Sequence, residues 1–131
     1  MLSRWDWPLD RRRRRYRAMC RGDAMKAYLD TPTPRANTPY DSAEFIVVDL
    51  ETTGLDAKKD RILSVGMVPV RGGIIRWGER LYTVVRGSEV ASEAGALGVH
   101  QILPGDTTSA PDERTVLDTV FNHLEGRVLL A

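Results

Sequence analysis

Between Phe45 and Leu55 the chain reads FIVVDLETTGL, and no other stretch limits the fold as strongly. Phe45-Ile46-Val47-Val48 is an apolar run of the kind a buried strand carries, yet it leads directly into Asp49 and Glu51. Two residues apart on a strand, these acids project from one face with their alpha carbons roughly 6.6 Å apart. At an effective dielectric near 20, two carboxylates so placed repel by about 2.5 kcal/mol, so the pair requires water, a cationic side chain or a metal ion. Lys58, Lys59 or Arg61 in the following loop could fold back to neutralise the acids, or the strand end could simply be wet. Thr52, Thr53 and Gly54 favour the metal, because a turn of small residues with free amides at a strand end lets a phosphate come close.

At 131 residues the chain suits one domain of modest size, able to bury a core but short for a complete mixed-sheet enzyme. No apolar run reaches the roughly 18 residues that span a bilayer, and the N-terminus lacks the apolar block of a secretory signal. A soluble protein without a membrane partner is the expectation. The single Cys20 has no internal disulfide partner, which fits a reducing cytoplasm, and as an ordinary free thiol it takes no catalytic role.

A net charge of +1 conceals two unlike regions: nine Lys and Arg against three acids up to Lys26, a net of +6, and −5 thereafter. The segment WPLDRRRRRYRAMCRGDAMKAYLD predicts a basic helical arm over 1–30, with Trp7, Tyr16, Met19, Met25, Tyr28 and Leu29 as an imperfect apolar stripe weakened by Gly22. Arg11 to Arg15 form either a patch for a nucleic-acid backbone or a solvated face, and a mitochondrial presequence is disfavoured by Asp6, Asp10 and Asp23. Pro32, Pro34 and Pro39 make 31–43 a linker, so the domain proper, 44–131, starts near Glu44. There the pattern is strand (Phe45 to Leu50), strand (Ile62 to Val70), a turn at Arg71 to Gly73, and an antiparallel return from Ile74 to Val85. Pro69 places the second strand's end at an edge or bulge. Ser109 can cap a helix presenting Val116, Leu117, Val120, Phe121 and Leu124, Gly126 can end it, and Arg127 to Leu130 begins a further strand. The plan is α/β.

FIVVDLETTGLDAKKDRILSVG resembles the first motif of the DEDDh-type 3'-5' exonucleases, the proofreading family like the epsilon subunit of DNA polymerase III, whose fold is RNase H-like. Asp60 to Gly66 is also in character. The resemblance runs from Phe45 to Ala131 and covers the N-terminal part of such a domain. It implies that Asp49 and Glu51 bind metal and act in catalysis, that Asp49 is shared between two Mg²⁺ or Mn²⁺ ions, and that Thr52 and Thr53 lie near the terminal nucleotide. Hard cations prefer carboxylate oxygens, and two ions about 3.5 to 4 Å apart can activate water and steady the leaving 3' oxygen. The substrate implied is the 3' end of DNA or RNA, with room for a polymerase or other protein partner.

ALGVHQILP, from Ala96 to Pro104, resembles the family's A-x-x-x-H-G-I segment and makes His100 a substrate-binding candidate, although Gln101 replaces the usual glycine and Gly95 stands where relatives carry an acid. The family's second motif, a His-rich turn ending in Asp, and its third, His-x-x-x-x-Asp, are missing. His100 and Asp106 are one residue too far apart, with Pro104 and Gly105 between them, and His123 precedes only Glu125 and the last residues. Two carboxylates leave most of the coordination of two ions to water and provide no base. The expectation is an incomplete, nearly inactive nuclease centre on an α/β sheet that is unfinished at its C-terminal side. Two rivals stand beside it: a haloacid-dehalogenase-type phosphatase, disfavoured by Glu51 and the tandem threonines, and a non-catalytic remnant of the same fold that binds nucleic acid or protein through its arginines.

Overall fold

The computed structural model describes residues 6–87 and 108–131. Its two N-terminal helices are α1 (Asp6–Met19) and α2 (Asp23–Asp30). The sheet comprises β1 (Glu44–Thr52), β2 (Ile62–Arg71), β3 (Ile74–Ile75), β4 (Leu81–Val84) and β5 (Val128–Leu130), with the helix α3 (Glu113–Leu124) before the last strand. Along the sheet the order is β3-β2-β1-β5, and β4 pairs with β2 beyond β3. Antiparallel pairing links β1 to β2 and β2 to both β3 and β4, whereas β5 runs parallel to β1. No helix among the described residues is long and apolar enough to cross a membrane.

Period-two alternation decides which face of β1 is covered. Ile46 and Val48 turn toward the helices and join Val65, Met67, Val85, Val116 and Leu124 in the core, with Tyr28, Val120 and Phe121 packed around it. Each fully buried aliphatic side chain contributes about 1.5–3 kcal/mol, which makes this cluster the main hydrophobic term. Tyr28 of α2 meets Phe121 of α3 with ring centroids 5.6 Å apart, so α2 docks on the same layer, and α1 is tied to α2 through Arg13 and Arg17.

The arm divides into two helices instead of one, because Gly22 takes extended backbone at the N-cap of α2. Tyr16 and Met19 from the expected apolar stripe are exposed, whereas Tyr28 of its α2 portion packs against the core. The return from Ile74 is likewise not one strand: after two residues the chain enters a 3-10 turn, Trp77–Glu79, before β4 resumes. Pro69 lies beside this break. Its carbonyl accepts from Arg76 N at 2.8 Å on the side away from β1, so its missing N–H faces the gap between β3 and β4, where no ladder bond is lost. The bulge falls instead between Glu51 and Thr52.

Helix α3 begins after Pro111, and its cap is Asp112, whose Oδ1 accepts from Thr115 N at 2.8 Å; Ser109 lies outside it. Gly126 ends the helix with φ of 69°, the left-handed conformation that glycine adopts without strain. Glu44 then ties three strands together by accepting from Arg71 Nε at 3.1 Å and Arg127 Nε at 3.0 Å.

Candidate active site

Asp49 and Glu51 stand on the face of β1 opposite the helical layer. Register pairs Asp49 with Gly66 and Glu51 with Ser64, so both acids lie in one row at the C-terminal end of the strand. Asp49 is exposed and Glu51 half-buried. A Cβ added at Gly66 would meet only the Asp49 carbonyl at 3.9 Å and its Cβ at 4.0 Å, so glycine here leaves the space beside the carboxylate open. The bulge directly after Glu51 shifts the register, so that Thr52 pairs with Ile62 before the chain enters the next loop.

That loop is built around Asp60. Thr53 Oγ1 donates to Asp60 Oδ1 at 2.9 Å, Asp56 N donates to Oδ2 at 2.8 Å, and Thr53 N reaches the Arg61 carbonyl at 3.0 Å. Arg61 N returns a bond to Thr53 Oγ1 at 3.0 Å, while Thr52 Oγ1 donates to the Gly54 carbonyl at 2.7 Å. Of the Thr52-Thr53-Gly54 turn expected to offer free amides to a phosphate, the Thr53 amide is therefore spent on closing the loop, as is that of Asp56. Gly54 is required for that closure: a Cβ there would lie 2.6 Å from Asp60 Oδ2. Sequence reasoning placed Asp60 in a motif but did not assign it this role.

Lys59 pairs with Asp56 at 3.5 Å, and no described residue forms an ion pair with Asp49. Asp49 suits a hard divalent cation, since an exposed carboxylate with clear space beside it is what Mg²⁺ or Mn²⁺ takes, and Glu51 follows two residues along the same face. Among the described residues no group of three or more His, Cys, Asp and Glu converges. His100, Gly95 and Asp106 lie outside the described residues. His123 sits on α3, its Nδ1 2.8 Å from the Thr119 carbonyl, on the helical layer and away from the acids.

The arginine run is split by its helix. Arg13 donates to the carbonyls of Tyr28, Leu29 and Thr31, satisfying the end of α2, and Arg17 holds Asp30 at 2.9 Å. Arg12, Arg14 and Arg15 are exposed.

A mixed sheet covered by helices on one side, with two carboxylates at the end of its first strand on the other, defines an α/β fold of the RNase H-like class. The chain belongs to the exonuclease family: the RNase T exonuclease model matches residues 46–131. It is therefore, by resemblance, a member of a family of 3'-5' exonucleases. It is similar to the PolC-type DNA polymerase III of Thermotoga petrophila, at 30% identity over 115 residues, covering 82% of this chain and 8% of that protein. The PolC-type enzyme of Thermotoga maritima is 29% identical over 97 residues, covering 72% of this chain and 7% of the relative. The chain thus spans less than a tenth of the length of these relatives.

Proposed function

We propose that residues 44–131 contribute to a two-metal 3'-5' exonuclease centre that trims the 3' end of DNA or RNA. In this reading Asp49 and Glu51 hold Mg²⁺ or Mn²⁺, with Thr52, Thr53 and His100 beside the terminal nucleotide. The observation that carries it is the pair of acids on one open sheet face, with Asp49 unpaired by any cation among the described residues and Gly66 clearing the space next to it. Bound divalent ions would polarise the scissile phosphate and lower the pKa of water. The chain's own part is to fix the two carboxylates on a rigid strand, while the Asp60 clamp shapes the loop that carries Thr53.

Two carboxylates do not fill the coordination of two octahedral-type ions, and neither histidine of the sequence stands in a His-x-x-x-x-Asp spacing. The 131-residue chain is accordingly expected to bind Mn²⁺ weakly and to hydrolyse DNA very slowly by itself. Titration with Mn²⁺, followed by electron paramagnetic resonance, tests the site: Asp49→Asn should abolish binding. Equal Mn²⁺ affinity in the two proteins would remove the metal reading, and rapid Asp49-dependent trimming of DNA would remove the claim of incompleteness.

A second reading is favoured by the exposure of Arg12, Arg14 and Arg15, which give α1 a basic surface suited to a nucleic-acid backbone. On this reading 1–30 is an arm joined through 31–43 to the exonuclease part, and it binds with or without catalysis. A reducing, cytoplasmic setting suits the unpaired Cys20. A polymerase is a natural partner to test, since the similar proteins are polymerases.

A further inference from the structure

Beside Asp49 the open sheet face forms a trough. Register sets Asp49, Gly66 and Tyr82 in one row across β1, β2 and β4, so the glycine is the floor between a carboxylate and a phenol ring about 10 Å apart. Trp77, on the 3-10 turn, lines it too, together with Val47, Val68, Met67 and Leu81. Tyr82 and Trp77 are 65% and 64% exposed, an unusual cost for two large rings unless something covers them. Arg80 lies over the Trp77 ring, 5.2 Å from its centroid, and bonds the Trp77 carbonyl at 3.1 Å. Its guanidinium is thus fixed at the Trp77 end of the lining that also includes Tyr82 and Asp49. The trough's volume of about 370 Å³ falls in the range of small-ligand sites.

We propose that this trough is a stacking subsite for an unpaired nucleobase of the strand whose 3' end reaches Asp49, with Arg80 receiving the neighbouring phosphate. Three features select that occupant. Exposed aromatic rings offer every base a stacking surface without reading its identity. A guanidinium already stacked on an indole remains able to bond a phosphate oxygen. The missing side chain at Gly66 makes the floor continuous with the acid pair, so one strand can occupy both places. The inference rests on the nuclease reading for its direction, from base to 3' end, but not for its binding chemistry.

The test uses a single-stranded oligonucleotide carrying 2-aminopurine near its 3' end, titrated into the 131-residue chain in EDTA. Stacking should quench the fluorophore. Tyr82→Ser and Trp77→Leu should each weaken binding about fivefold to hundredfold and restore emission, whereas Tyr82→Phe should keep both. Gly66→Val should fill the trough and weaken binding at an unchanged or higher melting temperature, which separates lost contact from lost fold. Unchanged affinity and quenching in Tyr82→Ser and Gly66→Val would overturn the subsite, as would equal binding of an oligonucleotide with abasic 3' positions. Asp49→Asn distinguishes the two proposals: quenching retained with Mn²⁺ binding lost supports both, and quenching retained with Mn²⁺ binding unaffected leaves the subsite standing while the metal reading fails.

Discussion

At the scale of single residues, the acids and their support were not equally visible in the sequence. Asp49 and Glu51 could be found because a strand's period of two places them on one face whatever the rest of the chain does. The role of Asp60 could not, since it depends on a loop that brings its carboxylate against Thr53, Asp56 and Gly54. Gly54→Ala should therefore disturb the loop far more than Gly78→Ala, because an added Cβ at Gly78 meets nothing within 4 Å. Hydrogen exchange over 53–61, together with melting temperature, checks this, and equal effects of the two substitutions would refute it. Glu44 makes a second residue-level prediction. Burial alone would raise its carboxyl, but hydrogen bonds from Arg71 and Arg127, with their charges, reverse that and hold it below the usual carboxylate range. A carboxyl whose pKa is lowered by folding stabilises the protein above its unfolded value near 4.5 and loses that contribution as pH falls through the folded value. The melting temperature should decline on acidification below that value, and Glu44→Gln should flatten this part of the profile while lowering the neutral-pH plateau.

Secondary elements show where sequence patterns stop being sufficient. The two long strands and α3 follow from apolar periodicity, with Gly126 as an explicit stop. The return strand was misjudged because Ile74 to Val85 reads as continuously strand-like, while Gly78 and the demand of Pro69 for a gap open a 3-10 turn within it. Tyr82 is not legible for the same reason, since only the register of β4 on β2 puts it in line with Asp49, and Trp77 and Arg80 join it only as lining of the same trough. Helix α1 makes the arginine run heterogeneous: residues one turn apart share a face, so Arg13 and Arg17 turn to α2. Arg13→Gln should cost roughly 1–3 kcal/mol of stability by leaving carbonyls at the end of α2 unsatisfied. Replacing Arg12, Arg14 and Arg15 together by Gln should leave melting unchanged and reduce the slope of log K against log salt by about 2 to 3 in duplex DNA binding. A triple replacement of Arg35, Arg76 and Arg114 alters net charge equally and serves as the control; an equal loss there would remove α1 as the contact.

For the molecule as a whole, the dominant fact is that, among the described residues, the sheet has helices on one face and Asp49 and Glu51 on the other. The plan was legible because each strand's alternation points to one buried side, but which partners gather on the other side is set by pairing over long sequence separations. The parallel pairing of β5 with β1, held by Glu44 and Arg127 83 residues apart, has a kinetic consequence. Closing so long a loop must wait until local contacts have repaid their entropy, so the β1–β2 hairpin should form early and β5 should join after the rate-limiting barrier. Arg127→Gln should then accelerate unfolding in stopped-flow experiments while leaving the folding rate nearly unchanged. A matching drop in the folding rate would place the β1–β5 junction inside the nucleus instead. Late docking of this one edge would make the acid-bearing strand the least insulated part of the sheet during folding, and the order of assembly, more than the depth of the native well, would govern how long Asp49 and Glu51 stand in register.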